Sequence, residues 1–121
     1  MLFGKDLMDK VLCGDKTVTR RLGDKSLYKI GNIYTTTDRS RWAKKGTPYR
    51  KCLVEIISNK QVALGSITDG DAKLEGFKNI DEFKEYWTKH LRFSFMPYLL
   101  VWRIEFKKSS SHCEGVKKYG E

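Results

Sequence analysis

The order of helix-like and strand-like patterns along this chain constrains its fold more than any other sequence feature. Runs of β-branched and alternating apolar residues follow one another in groups, without a regular strand–helix alternation. Successive parallel strands need a crossover connection, usually a helix, so this order favours antiparallel pairing. We predict an α+β fold, a small, mostly antiparallel β-barrel of about five to six strands with two or more flanking helices.

Period-two alternation locates the predicted strands. The last one shows it most clearly, because every second residue from Leu100 to Phe106 is large and apolar. Asn59 and Lys60 are typical of a tight turn, which predicts a hairpin between the strands on either side. The predicted strands cover five segments, 14–21, 30–37, 50–58, 61–68 and 100–106.

Apolar residues at helical spacing predict two helices. The clearer one covers Asn79–Leu91, in which Asn79 and Glu82 form a capping-box pattern at the start. Its core-facing residues are Ile80, Phe83, Trp87 and Leu91. The other is the helix-like segment 1–13, with an apolar face made of Leu7, Met8, Val11 and Leu12.

The length and composition indicate one folded domain. The chain has 121 residues, of which 40% are hydrophobic and 32% charged, and this balance excludes intrinsic disorder. After Lys107 the hydrophobic residues become sparse and three consecutive serines follow. We therefore predict a domain over residues 1–108 and a flexible C-terminal tail over residues 109–121.

Charge and cysteine content predict the partners and the compartment. The formal net charge of +9 favours an anionic partner, with nucleic acid first and a nucleotide or acidic membrane surface second. No apolar stretch approaches the length of a membrane span, and charged residues interrupt the N-terminal apolar run. Cys13, Cys52 and Cys113 are odd in number and form no C-x-x-C pair, so we expect reduced thiols and a cytoplasmic protein.

The segment Gly14–Arg21 concentrates chemically active groups. It holds one glycine, two threonine hydroxyls, one lysine amine and two guanidinium groups in eight residues. Glycine at this place fits the end of the first helix, and the alternation after it predicts a strand. In a regular strand Lys16 and Thr19 point to opposite faces, so their convergence would need a bulge or a twist.

The cationic loop, residues Arg39–Lys51, is the second candidate site. It carries six cations and no acid, with two aromatic residues interleaved between the cations. Charges that hold phosphates and rings that stack on bases are the means of single-stranded nucleic-acid binding. The alternative is a solvated loop with Trp42 folded into a core. The candidate binding residues here are Arg39, Arg41, Trp42, Lys44, Lys45, Tyr49, Arg50 and Lys51.

Three stretches of the chain resemble the ASCH domain family, whose members have a PUA-like β-barrel fold. Residues Gly14–Arg21 match the pattern Gly-x-Lys-Thr-x-Thr-x-Arg, and Asp71–Phe77 resembles the element Asp-Ala-x-x-Glu-Gly-Phe. The segment Leu100–Phe106 resembles the closing strand of the family. The resemblance spans nearly the whole chain except the residues after Lys108, and it implies the PUA-like version of the predicted barrel.

The resemblance also implies a candidate catalytic set. Some bacterial ASCH proteins are amidohydrolases that act on N4-acetylcytidine with a lysine, a threonine and a glutamate. Those residues correspond here to Lys16, Thr19 and Glu75. A lysine serves as a base for a threonine hydroxyl only when its pKa is strongly lowered. Another type of member cleaves RNA, so a ribonuclease remains a second possible enzyme.

The leading functional prediction is binding of RNA, another single-stranded nucleic acid or a nucleotide. The predicted pocket lies between Gly14–Arg21, Glu75 and the cationic loop, with Lys16, Arg20 and Arg21 facing phosphate or a base edge. The alternatives are a hydrolase of a modified nucleoside or of RNA, and a module that binds an acidic protein. We expect no cofactor and no metal, because neither His90 nor the pair His112-Cys113 has metal-ligand spacing.

Overall fold

The computed structural model describes residues 1–91 and 94–118, with side chains as far as Ser109. Its four strands form one antiparallel sheet in the order β1-β4-β3-β2. The α+β class is confirmed, but within the described residues the sheet remains open and does not close into a barrel. The strands are β1 (Val18–Arg21), β2 (Ile33–Thr37), β3 (Pro48–Ala63) and β4 (Leu100–Lys118).

The predicted hairpin at Asn59 and Lys60 is not formed, and β3 passes through this point as one continuous strand. The backbone of Asn59 pairs with Ile104 of β4, while its side-chain amide donates to the carbonyls of Lys25 and Tyr28, both at 2.8 Å. Partners on a distant strand and loop thus replace the local turn. The merger of the two predicted strands explains why four strands are seen where at least five were predicted.

The described residues form three α-helices, all of which contribute to the core with the sheet. They are α1 (Lys5–Cys13), α2 (Asp69–Leu74) and α3 (Ile80–Leu91), and a short 3₁₀ turn, Leu64–Ser66, follows β3. Asn79 caps α3 as predicted, since its side chain accepts from the backbone N–H of Glu82 at 2.9 Å. The chain before α1 is not helical, because Leu2 pairs with Thr37 at the end of β2.

The core lies where the helices pack against the sheet. Met8 and Val11 of α1 and Phe83 and Trp87 of α3 are buried, as the helical spacing predicted. Leu91, also predicted to face the core, is instead 39% exposed at the last residue of α3. They meet the buried strand residues Val54, Ile56, Val101, Ile104 and Phe106. This packing positions α1 and α3, and residues of both helices line the candidate site.

The C-terminal part of the chain and one cysteine differ from the sequence-based expectations. Strand β4 continues past residue 108 and pairs there with β3 as far as Pro48, so residues 109–118 belong to the sheet. Residues 119–121 lie outside the described residues.

Cys52 is disulfide-bonded, in contrast to the expected reduced thiols, whereas Cys13 is free. In the described part of the chain, no helix is long and apolar enough to span a membrane.

Candidate functional site

The short segment between α1 and β1 positions Lys16. Gly14 ends α1 in the left-handed conformation, with φ 86°, which turns the chain sharply. The backbone N–H of Lys16 then donates to the carbonyl of Lys10 at 3.0 Å, and that of Thr17 donates to Leu74 at 2.8 Å. These bonds hold Lys16 against the C-terminal end of α2, where Glu75 follows.

Lys16 and Glu75 form a buried ion pair. The side chains are 2% and 3% exposed, and the Lys16 amine lies 3.5 Å from Oε1 of Glu75. The same amine donates to the backbone carbonyls of Val18 at 2.8 Å and Glu75 at 2.9 Å. Three acceptors therefore surround one amine, and the carboxylate is the most distant of them.

A second cation holds Glu75 more closely than Lys16 does. Nη1 of Arg20 donates to Oε2 of Glu75 at 2.7 Å, and Nη2 donates to Asp71 at 2.9 Å. Asp71 also accepts from Arg103 of β4 at 3.2 Å. The site thus contains a chain of alternating charges, Arg103–Asp71–Arg20–Glu75–Lys16, which joins β4, α2 and β1.

Thr19 lies on β1 beside this charge network and is buried. Its hydroxyl oxygen accepts a hydrogen bond from Nε of Arg21 at 3.2 Å, so the hydroxyl proton itself is not used in that bond. The Arg21 guanidinium also lies over the ring of Phe3, 4.6 Å from the centroid, and Lys16 faces the same ring at 5.5 Å. The ring of Phe3 therefore contacts two cations close to the threonine.

Burial and neighbouring charges shift the pKa of three groups in the site. Burial lowers the pKa of Lys16 to about 8, assisted by Arg21 and Arg20, against the opposing attraction of Glu75. Burial opposes ionisation of Asp71, but its hydrogen bonds from Arg20 and Arg103 prevail and lower its pKa. Burial also lowers the pKa of Arg21. Lys16 thus becomes a base that is partly neutral near physiological pH.

These side chains line a cavity of about 420 Å³, the central cavity. Apolar and aromatic residues of α1 and α3 form much of its wall, and the polar groups gather on the side of β1 and α2. Such a volume suits a small organic molecule such as a nucleoside. The residues that line the central cavity include Leu2, Phe3, Lys16, Thr19, Arg20, Arg21, Asp38, Ser40, Glu75, Phe83, Tyr86 and Trp87.

A second concavity, the basic groove, has a volume of about 500 Å³ and lies next to the central cavity. Its lining includes three cations of the cationic loop, two hydroxyls of β2 and one tyrosine, and among the described residues that line it there is no acid. Leu2 belongs to both concavities. The groove is lined by Met1, Leu2, Thr35, Thr37, Arg39, Arg41, Tyr49 and Lys51.

The structure divides the predicted site residues between these two places. Lys16, Thr19, Arg20, Arg21 and Glu75 all line the central cavity. The cationic loop does not place its cations there, contrary to the single pocket expected from the sequence. Trp42 is 85% exposed, which excludes the alternative in which it folds into a core, and Lys44 and Lys45 are exposed as well.

Arg50 has a different environment from the other cations of the loop. Its side chain forms ion pairs with Asp38 at 3.0 Å and with Asp9 of α1, and it donates to the carbonyl of Lys5 at 2.9 Å. These contacts tie the start of β3 to α1. Arg50 is therefore better explained as a structural residue than as part of a binding surface.

Sequence reasoning missed the supporting members of the site. Asp71 and Arg103 were not candidates, although both lie in stretches that carry the family resemblance. Trp87 was expected only as a core residue of the predicted helix, and Phe3 and Tyr86 were not candidates, yet all three line the central cavity. The available signal was the position of Asp71 four residues before Glu75, which is one helical turn. Among the described residues no cluster of His, Cys, Asp and Glu could hold a metal ion.

Comparison with solved structures identifies the fold. The chain is similar to the crystal structure of an ASCH domain from Lactobacillus crispatus, with a TM-score of 0.58, 18% identity and coverage of 85% of this chain and 70% of that one. It is also similar to a protein from Enterococcus faecalis V583 of the family DUF984, with a TM-score of 0.56, 18% identity and coverage of 91% and 77%.

These similarities show that the protein has the fold of the ASCH domain. No protein-family model matches the sequence, and no curated protein matches it either. The ASCH-type fold implied by the three resembling stretches is thereby confirmed, although within the described residues its sheet is open and does not form the expected barrel. Because a shared fold does not transmit an activity, the function has to be argued from the central cavity itself.

Proposed function

We propose that this protein is an amidohydrolase that removes the acetyl group of N4-acetylcytidine. The observation that carries the proposal is the buried contact between Lys16 and Glu75 in a cavity that Thr19 also lines. The resemblance of Gly14–Arg21 and Asp71–Phe77 to family members with this activity supports the same substrate. The central cavity, at about 420 Å³, has room for a nucleoside.

Lys16 is the general base of the proposed reaction. A lysine amine accepts a proton only when neutral, and with a pKa of about 8 a useful fraction is neutral near pH 7. Glu75 holds the amine in place. Because the carboxylate of Glu75 is paired closely with Arg20, its stabilisation of the protonated form of Lys16 is limited. Arg21, which donates to the Thr19 oxygen, stabilises negative charge that develops on it during attack.

The proposed reaction has two steps. In the first, the Thr19 oxygen bonds to the acetyl carbon while Lys16 takes the hydroxyl proton; the C–N bond to cytosine then breaks, and Lys16 returns the proton to the leaving N4 amine. Cytidine and an acetyl ester on Thr19 result. In the second, water attacks the ester with Lys16 again as base, and Lys16 returns this proton to the Thr19 oxygen as the C–O bond breaks. The product leaves as acetic acid and releases its proton to solvent as acetate.

The pH dependence of hydrolysis tests this assignment. Because only neutral Lys16 is active, kcat/KM for N4-acetylcytidine should rise about tenfold per pH unit below pH 7 and level off above about 8. Cytidine release from purified protein, followed by chromatography, measures it. A flat profile between pH 6 and 9, or no cytidine after prolonged incubation, would refute the proposal.

We also propose single-stranded nucleic-acid binding by the exposed surface of the cationic loop. Trp42 is 85% exposed and lies between exposed cations, as a base-stacking side chain requires. Trp42→Ala should weaken binding of a short single-stranded RNA by about tenfold or more, since one stacked base contributes about 1–3 kcal/mol. Fluorescence anisotropy at several salt concentrations measures it. Trp102→Phe is the matched control, and an affinity independent of salt would contradict this function.

A further inference from the structure

We infer that the basic groove is a phosphate subsite of the central cavity, so that an N4-acetylated cytosine nucleotide is preferred over the free nucleoside. This inference rests on the proposed function for the identity of the base. It is carried by the way in which one stretch of chain separates the two concavities, and by the distribution of charge between them.

The chain between β2 and the rest of the cationic loop forms the partition. Asp38 and Ser40 line the central cavity, whereas Arg39 and Arg41 line the basic groove. Alternate residues of one segment thus line different concavities, and the two concavities adjoin along this segment. Leu2, half exposed, belongs to both and lies where they meet.

Charge assigns the parts of a nucleotide to the two sides. The central cavity also has cations in its lining, but there Lys16 and Arg20 are paired with the carboxylate of Glu75. Its aromatic wall suits a base. The groove presents Arg39, Arg41 and Lys51, with no acid among its described lining residues. Guanidinium groups bind phosphate oxygens in a bidentate manner. In a nucleotide the base and the phosphate are separated by one ribose, which matches two adjoining compartments.

Calorimetry with product-like ligands tests the subsite without requiring turnover. The probes are cytidine, cytidine 5′-monophosphate, cytidine 3′-monophosphate and inorganic phosphate, each titrated into the full chain. We expect at least one monophosphate to bind about tenfold or more tightly than cytidine, because charged hydrogen bonds to phosphate are strong. Arg41→Ala should reduce that ratio of affinities by most of the tenfold. Lys60→Ala, an exposed lysine outside both concavities, is the control and should preserve the ratio.

The outcomes separate this inference from the proposed function. Equal affinities for cytidine and both monophosphates overturn the subsite, even if N4-acetylcytidine is hydrolysed. Tighter binding of a monophosphate without hydrolysis of the acetylated nucleoside or nucleotide supports the subsite and removes the amidohydrolase. A cytidine oligonucleotide distinguishes the source of the phosphate: tighter binding than the monophosphate points to RNA, and equal binding points to a free nucleotide.

Discussion

Replacing Lys16 by methionine should reduce kcat/KM for N4-acetylcytidine by about 10²–10⁴-fold, the contribution typical of a general base. The fold should survive, because methionine keeps the apolar stem and Glu75 retains its 2.7 Å contact with Arg20. The desolvation cost of a buried ammonium is removed at the same time. Steady-state kinetics and a urea unfolding curve on the same preparation measure the two effects separately.

Lys10→Met is the matched control for this variant. Lys10 is partly buried, and its amine, like that of Lys16, donates to a backbone carbonyl of the α2–α3 connection, in this case that of Gly76. It does not line the central cavity. Its replacement should leave kcat/KM within about threefold of the parent protein. If Lys16→Met retained more than a tenth of the parent activity, Lys16 would not be the base.

Replacing Arg20 by methionine should lower the free energy of unfolding by about 3–5 kcal/mol, the largest stability effect expected in this protein. Arg20 joins Asp71 and Glu75, and its own side chain is only 1% exposed. Its removal leaves the carboxylate of Glu75 buried with only the 3.5 Å contact to Lys16 as an ion pair. Urea unfolding followed by tryptophan fluorescence measures the change.

Two further variants make this result interpretable. Arg103→Met removes a more exposed cation that contacts the same Asp71 at 3.2 Å, and it should cost less than about 1 kcal/mol. If Arg20→Met does not fold, the double variant Arg20→Met/Glu75→Gln should recover stability, because it no longer buries an unpaired carboxylate. A loss below about 1 kcal/mol in Arg20→Met alone would show that the charge network contributes little to folding.

The sequence predicted the local elements of the site but not how they meet. Gly14 and the alternation after it correctly predicted the end of α1 and a strand. The strand rule nevertheless placed Lys16 and Thr19 on opposite faces, whereas β1 begins only at Val18. Lys16 precedes the strand, so the alternation of side chains along β1 does not determine its direction. No bulge is therefore needed for the side chains of Lys16 and Thr19 to line one cavity.

Long-range contacts explain the remaining differences. Lys16 and Glu75 are 59 positions apart, so no periodicity could join them, and only the resemblance to a family did. The cationic loop was expected to share their pocket because charge alone does not reveal a partition. Leu2, an apolar residue near the start of the chain, pairs with the end of β2 and lies between the two concavities. Asn59 was misinterpreted as a turn for a similar reason, since its partners lie in a distant loop.

The order of strands in the sheet also bears on when the site is completed during protein synthesis. Strand β1 lies at the edge of the sheet and has β4 as its neighbour. The backbone N–H of Phe106 in β4 donates to the carbonyl of Thr17, next to Lys16. A ribosome exposes Lys16, Thr19 and Glu75 well before it has made β4. A nascent chain therefore carries every reactive group without the strand that holds them in register, and the pocket forms only after β4 has been made.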